Sequence, residues 1–200
     1  LALSDTQLGL LSGLAFAVFY ATLGIPLARL ADRKSRVTLL SGAIFVWSLM
    51  TAFCGMSQNF IQMLFSRIGV GAGEAGCVPA SYSLIGDYFP KHKRVFAISM
   101  FQAGGNIGVV FGLFAAGYIA DLLGWRWSFI LLGLPGVAIA LITYLTVKEP
   151  IRGNLDTVPV ASTANLGWRK AFSTLFARST YINSVIAISL SLFSYYAIMQ

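Results

Sequence analysis

Apolar residues are concentrated in long runs that are separated by short polar segments. Each run has about 20 residues or more, which is the length that a helix needs to cross the hydrocarbon core of a bilayer. The runs cover residues 8–30, 37–56, 60–90, 95–120, 128–147 and 181–200. The pattern therefore predicts an all-α integral membrane protein whose helices cross the membrane in alternate directions.

The polar segments predict how the chain is divided. Ser4 and Gln7 have the spacing of a capping box in front of the first run. Residues 148–180 are polar and Ser/Thr-rich in part, which is typical of a linker between a helical domain at 1–147 and the first helix of another at 181–200. Within the linker an amphipathic helix on the inner leaflet is expected, because apolar residues recur at helical spacing beside basic ones. They are Trp168, Phe172, Leu175 and Phe176, beside Arg169, Lys170 and Arg178.

The composition agrees with a membrane protein, and the charges indicate its topology. Of the 200 residues, 57% are hydrophobic and 10% are charged, and the mean hydropathy is +0.77. The net charge of +7 does not indicate nucleic-acid binding, because all Lys and Arg residues except Arg67 and Arg126 lie in three alternate connections. Basic residues accumulate on the cytoplasmic side of membrane helices. These connections are therefore predicted to be cytoplasmic, in a multi-pass protein of the inner or plasma membrane.

Two opposite charges interrupt the third apolar run. Arg67 and Glu74 are seven residues apart, so a continuous helix would place them on one face, about 10 Å apart along its axis. A charge at membrane depth is costly unless it faces a partner or a water-filled cavity. We therefore interpret both residues as candidate functional groups, and a static ion pair that only fixes helix packing is the alternative.

Other residues in the runs suggest helix packing and a polar cavity. Glycines spaced by four residues are expected to let helices approach closely, and they are Gly69 and Gly73 in the third run and Gly104, Gly108 and Gly112 in the fourth. Gln102 and Asn106 either line a polar cavity or bond to a neighbouring helix. Four aromatic residues either contact an amphiphile or pack in the bilayer, namely Phe16, Phe19, Tyr20 and Phe101.

Catalytic and metal chemistry are not indicated. Cys54 and Cys77 both fall inside apolar runs, so neither a disulfide nor a metal site is expected. His92 lies in a basic connection, where a solvated role is expected. The sequence carries no nucleophile triad, metal-ligand cluster or phosphate-binding loop, and an enzyme is therefore not expected.

A short internal similarity relates two helix ends. Residues 28–35 align with residues 117–124, and each segment closes one predicted helix and opens the next. The two copies lie on opposite sides of the predicted topology, as an inverted repeat requires. Chance similarity in an apolar composition is the alternative explanation.

The motifs of the connections resemble those of the major facilitator superfamily. Residues 28–37 are similar to its loop motif GxLADRxGRK, with Asp32, Arg33 and Arg36 at matching positions. Alanine and serine stand in place of the two glycines of that motif, and valine stands in place of its lysine. Further matches are Arg67-x-x-x-Gly71-x-Gly73, Pro90-x-x-x-Arg94 and Gly124-Trp125-Arg126-Trp127-x-Phe129. The resemblance implies that the chain carries helices two to seven of that fold. Helices two to six belong to the N-terminal six-helix half, whose first helix is missing from this chain, and helix seven is the first helix of the second half.

Within the superfamily, the glutamate motif is most similar to that of the spinster group of lysolipid and sphingolipid exporters. It reads Gly71-Ala72-Gly73-Glu74-Ala75, followed by Pro79. The resemblance implies a proton-coupled transporter of a lysolipid-like or other amphiphilic organic substrate that works by alternating access. We hypothesise that Glu74 carries the coupling proton and that Arg67 sets its affinity and pairs with an anionic substrate group. An organic anion:proton symporter, with a related motif, and a non-transporting scaffold or receptor are the alternatives.

The resemblance also implies a gating role for the loop charges, in which Asp32, Arg33 and Arg36 clasp neighbouring helices while the transporter faces outward. Ordinary positive-inside charge is the alternative for these residues. Arg67, Glu74, Phe16, Tyr20, Phe101, Gln102 and Asn106 are the candidates for the substrate cavity. The expected partners are the lipid bilayer, protons, a small amphiphilic substrate and the remaining helices of the same transporter. No nucleic acid is expected, and no cofactor other than the coupling proton.

Overall fold

The computed structural model describes residues 4–155 and 168–199. The described helices are α1 (Asp5–Gly9), a π-helical segment (Leu10–Leu14), α2 (Ala15–Arg33), α3 (Arg36–Met56), α4 (Phe60–Glu74), α5 (Cys77–Tyr88), α6 (Lys91–Leu123), α7 (Trp125–Thr146), α8 (Trp168–Phe176) and α9 (Ser179–Met199). The chain forms two compact units that divide between residues 160 and 161, with α1–α7 in the first and α8 and α9 in the second. The Ser/Thr-rich patch of the expected linker lies outside the described residues.

Polar residues in the turns set the starts of two helices. The Gln7 N–H donates to Ser4 Oγ at 3.3 Å and the Ser4 N–H donates to Gln7 Oε1 at 3.1 Å, so the predicted capping box is confirmed. Asn59 caps α4 in a related way, because its Oδ1 accepts from the Gln62 N–H at 2.9 Å. Each cap satisfies a backbone donor that the helix itself leaves without a partner.

The third predicted span is divided into two helices, so the expectation of one continuous helix over residues 60–90 was wrong. α4 ends at Glu74 and α5 begins at Cys77. Pro79 explains the break, because proline has no N–H to donate to the carbonyl four residues earlier and its ring clashes with that carbonyl. That carbonyl belongs to Ala75, which directly follows Glu74. The helix is therefore interrupted immediately after Glu74.

α3 is the centre of the first unit, where it packs against α4, α5 and α7. A Cβ added at Gly73 of α4 would lie 2.6 Å from the Trp47 backbone nitrogen, and one added at Gly133 of α7 would lie 2.7 Å from the Ala52 nitrogen. Such distances are far inside van der Waals contact. α4 and α7 can therefore approach the α3 backbone here because both positions are glycine.

α6 differs from α3 in having no buried residue within the first unit. An added Cβ at Gly104, Gly108 or Gly112 would meet no atom within 4 Å, so the close packing expected of these glycines is not made by the described chain. Gly69 and Gly73 do lie at close contacts with α3, and a Cβ at Gly69 would be 2.5 Å from Met50 Cγ. The face of α6 that carries its glycines is open in this unit.

Three of the described helices, α3, α6 and α7, are long and apolar enough to cross a membrane. α4 and α5 each fall short of the length of about 20 residues that a crossing helix needs, since Pro79 divides them. Large apolar side chains on α6 and α7 face outward, and Phe114 of α6 is 78% exposed. Such a surface suits contact with lipid or with further helices.

Candidate functional site

Arg67 on α4 is held against the beginning of the chain. Its Nε donates to the Leu11 carbonyl at 3.3 Å, and its Cζ lies 6.0 Å from the centroid of the Phe16 ring. Leu11 belongs to the π-helical segment, where the regular α-helical bonding pattern is interrupted. The half-buried guanidinium is thus positioned by a carbonyl and an aromatic face, and within the described chain no carboxylate forms a direct ion pair with it.

Aromatic residues of α2 lie beside this arginine. Phe16 and Tyr20 stack with their ring centroids 5.6 Å apart. A Cβ added at Gly71 would lie 3.1 Å from the Phe16 carbonyl oxygen, so the glycine lets α4 approach α2 closely at this point. The structure therefore brings together three of the expected cavity residues, Arg67, Phe16 and Tyr20.

Glu74 is the last residue of α4 and is half-buried at the break between α4 and α5. Its carboxylate forms no hydrogen bond or direct ion pair with any residue that the structure describes. Arg67 lies two helical turns earlier on the same helix. The static ion pair considered from the sequence is therefore not formed between these two described residues.

Two of the remaining expected cavity residues, Phe101 and Gln102, form a second group with Tyr82 between α5 and α6. Gln102 Nε2 donates to the Tyr82 hydroxyl at 2.8 Å, and the Phe101 ring meets the Tyr82 ring edge-on with centroids 5.7 Å apart. Asn106 is exposed on α6 and has no hydrogen bond within the described part of the chain. Sequence reasoning did not identify Tyr82 as a member of this group. The one available signal was its position three residues after Pro79.

Among the described residues of the first unit, Arg36 is the charged residue with the most buried side chain. Its side chain is 1% exposed and forms ion pairs with Asp87 of α5 and with Glu149 after α7, the second at 2.7 Å. It also donates to the Ser83 and Pro150 carbonyls at 3.3 and 2.8 Å. One guanidinium therefore connects the start of α3 with the ends of α5 and α7.

Glu149 is held by donors from the α2–α3 connection. Its Oε1 accepts from Arg36, and its Oε2 accepts from Ser35 Oγ at 2.8 Å and from the Val37 N–H at 2.9 Å. Burial alone would raise the pKa of this carboxyl. The hydrogen bonds from Val37, Arg36 and Ser35, together with the charge of Arg36, outweigh burial and hold the pKa below its ordinary value. Glu149 is therefore charged at neutral pH.

The residues after Glu149 extend the same contacts. Asp87 accepts from the Gly153 N–H at 3.0 Å, and Arg152 donates to the Ala31 and Lys34 carbonyls at 2.7 and 2.6 Å. Residues 148–155, which were expected to begin the linker, thus pack on the first unit.

Of the three residues with an expected gating role, the structure places Arg36 in this network, whereas Asp32 and Arg33 are exposed. Sequence reasoning did not identify Asp87 and Glu149 as partners of Arg36. The available signal was that each of these two acids lies near the end of a predicted helix, next to a connection that is otherwise basic.

Comparisons with known proteins agree with this architecture. Residues 1–200 match the family model described as Major Facilitator Superfamily. An MFS-type efflux pump of Mycolicibacterium smegmatis is 32% identical over 97% of this chain and 46% of its own length. A probable L-galactonate transporter of Escherichia coli is 34% identical over 80% of this chain and 35% of its own length.

A solved structure gives a closer likeness. The crystal structure of a bacterial homolog to the human lysosomal transporter Spinster, in an inward-facing and occupied conformation, is 40% identical and has a TM-score of 0.70. The match covers 78% of this chain and 39% of that one, and this chain spans less than half the length of each of these relatives. Their names are those of transporters and a pump, which agrees with the expectation that the chain is not an enzyme. The match over the entire sequence and the similarity to the Spinster homolog show that the chain belongs to the Major Facilitator Superfamily.

Proposed function

We propose that the protein is a proton-coupled secondary transporter that moves an amphiphilic organic substrate by alternating access. The observation that carries this proposal is Glu74, a half-buried carboxylate at membrane depth without a hydrogen bond or ion pair in the described chain. An intramembrane ionisable group is expensive to maintain and usually marks an ion or substrate path. Glu74 is the group that binds and releases the coupling proton.

The helix break supports this role. Discontinuous helices with free backbone groups are a recurring feature of transporter binding sites. Here the break directly follows Glu74, and Pro79 deprives the Ala75 carbonyl of its helical donor. A change in the protonation of Glu74 therefore acts at a point where the backbone is already interrupted.

Arg67 is the proposed site for an anionic group of the substrate. A guanidinium remains charged at any physiological pH and can pair bidentately with a carboxylate or a phosphate. Its Nε is occupied by the Leu11 carbonyl, which fixes the direction of the fork. The neighbouring rings of Phe16 and Tyr20 offer an apolar surface to the rest of an amphiphile.

The substrate class that we favour is a lysolipid or sphingolipid-like amphiphile, because of these rings and the 40% identity to the Spinster homolog. An organic anion is the second candidate, supported by Arg67 and by the relative named as a probable L-galactonate transporter. For either substrate class, we place the protein in the inner or plasma membrane with its basic connections on the cytoplasmic side. Arg36 then ties helix ends together on that side, and Asp32 and Arg33, which are exposed there, are the other proposed gating residues.

The test is flux into proteoliposomes that contain the full-length protein. A labelled lysolipid and a labelled sugar acid are supplied separately, each with and without an imposed proton gradient. We expect gradient-dependent flux of the lysolipid that unlabelled lysolipid suppresses and sugar acid does not. Flux of the sugar acid alone would replace the substrate class with organic anions. Absence of flux for both, in a folded protein, would favour the scaffold or receptor alternative.

A further inference from the structure

An apolar groove runs along the outside of the first unit between α2 and α3. It has a volume of about 610 Å³. One wall is a single face of α3, formed by Thr38, Gly42 and Val46, which are spaced by four residues. The other wall includes Leu30 of α2, and both Leu30 and Val46 are 40% exposed. The described chain therefore leaves the groove unfilled.

The groove reaches the helix break of the proposed transport site. Gly73 and Gly76 lie in its lining, on either side of Glu74 and Ala75. Its side chains are otherwise almost entirely apolar up to the mouth. An occupant would thus lie against the backbone of the break, and neither Arg67 nor Glu74 is among the lining residues.

The length of the groove matches one leaflet of a bilayer. From Ser35 to Val46 the α3 axis rises about 16 Å, and half of the hydrocarbon core is about 15 Å thick. α3 itself continues for ten more residues, to Met56. A helix that crosses the whole membrane would need a groove along the full length of α3. A single acyl chain needs a groove of only about half that length, as observed here.

The mouth of the groove is basic. Lys34 lines it and is exposed, and the Arg152 guanidinium lies beside it, bonded to the Lys34 carbonyl at 2.6 Å. Asp32 is the one acid among residues 29–34, which also carry Arg29, Arg33 and Lys34, whereas the charge of the buried Arg36 is balanced by Asp87 and Glu149. Cations at the surface of a membrane attract anionic headgroups, and the cytoplasmic leaflet is the anionic one.

We propose that this groove binds an anionic phospholipid of the cytoplasmic leaflet, with an acyl chain between α2 and α3 and the phosphate at Lys34 and Arg152. The lipid is a resident ligand and is not the transported substrate. The choice of leaflet rests on the topology in the proposed function, but the binding itself requires neither transport nor proton coupling. Failure of the lipid test would therefore leave the transport proposal intact, and the converse also holds.

Two substitutions test the site in the full-length protein. Gly42→Leu places a side chain in the groove, which Gly42 lines, and an added Cβ at this position meets no atom within 4 Å. Lys34→Gln removes the headgroup charge. The matched controls are Gly117→Leu, at another open glycine, and Lys93→Gln, at another exposed lysine. None of these residues belongs to the proposed transport site.

The measurement is native mass spectrometry of the detergent-purified protein with added phosphatidylglycerol or phosphatidylcholine of identical chains. We expect wild type and both controls to bind phosphatidylglycerol more tightly than phosphatidylcholine. Lys34→Gln should weaken phosphatidylglycerol binding about fivefold, and Gly42→Leu should weaken the binding of both lipids by at least as much. Equal binding by all variants, or no preference between the two lipids, would overturn the proposal.

A benzophenone photo-crosslinker at position 42 separates lipid from protein as the occupant. In native membranes it should capture phospholipid. Capture of another segment of the same protein in place of lipid would show that the groove is filled by the protein itself, and would also overturn the proposal.

Discussion

At the scale of single residues, the chain uses its charges in two different ways. Arg36 is almost fully buried and satisfied by two carboxylates and two carbonyls. Glu74 is half-buried and has no such partners among the described residues. A satisfied buried charge holds helices in place, whereas an unsatisfied one is available for a ligand. This contrast separates the structural contacts of Arg36 from the transport role that we propose for Glu74.

Replacing Arg36 should destabilise the first unit strongly. Arg36→Gln keeps a polar side chain but leaves the Asp87 and Glu149 carboxylates near each other without their shared cation. Breaking a buried ion pair from one side costs roughly 3 to 5 kcal/mol. We expect a clearly lower midpoint of thermal unfolding in detergent, and little change for Arg33→Gln, whose side chain is exposed. An unchanged midpoint for Arg36→Gln would contradict the structural role.

The pH dependence of the same unfolding midpoint tests the Glu149 contact. Because the folded state lowers the pKa of Glu149 below its ordinary 4.5, the contact contributes stability above that pH. This contribution is lost as the pH falls through the lowered value. Wild type should therefore lose stability in that acid range, and Arg36→Gln should lose less, since its Glu149 no longer has the cation. Parallel pH profiles for the two proteins would show that Arg36 is not the cause.

At the scale of helices, the runs of apolar residues predicted most of the elements. The second run, 37–56, differs from α3 by one residue at its start. Predictions were poorer for the third run, where the proline at position 79 was recognised as part of a motif but not as a helix break. The reason is physical, since proline is tolerated in membrane helices and the sequence alone does not show which prolines divide a helix.

Glycine spacing also predicted contacts only in part, because it does not identify the partner helix. The regular spacing of Gly104, Gly108 and Gly112 is as clear as that of Gly69 and Gly73, yet only the second pair meets a described neighbour closely. Whether a glycine is at a contact depends on the position of another element, which is a long-range property of the fold.

Adding one methyl group should distinguish these two kinds of glycine. Gly73→Ala forces a Cβ against the α3 backbone, and overpacking of this kind costs about 1 to 3 kcal/mol. Gly108→Ala meets no described atom and should be neutral or raise helix stability by up to about 1 kcal/mol. Thermal unfolding of both variants of the full-length protein measures the difference. If Gly73→Ala were as stable as wild type, the close approach of α4 to α3 would be refuted.

At the scale of the whole molecule, composition, run length and charge placement predicted the class of fold, which the family match confirms. The two aligned segments, 28–35 and 117–124, each join two helices through a tight connection, at Lys34–Ser35 and at Gly124. The charge pattern identified Arg67 and Glu74 as candidates because each is costly within an apolar run. It could not identify the contacts of Asp87, Glu149 and Tyr82, because the partners of these residues are distant in sequence.

The proposed mechanism depends on one residue, Glu74. Helix α4 carries Glu74 into the membrane, Pro79 interrupts the backbone directly after it, and Arg67 supplies a fixed positive charge two turns away. If the protein transports by proton coupling, neutralising this one carboxylate should abolish transport driven by the proton gradient, while the protein still folds.

The most direct measurement is substrate accumulation driven by a proton gradient in proteoliposomes, comparing wild type, Glu74→Gln and the control Asp121→Asn, which changes an exposed carboxylate at the end of α6. We expect Glu74→Gln to fold normally but to lose gradient-driven accumulation, and Asp121→Asn to behave as wild type. Undiminished accumulation by folded Glu74→Gln would contradict the assignment of Glu74 as the coupling residue.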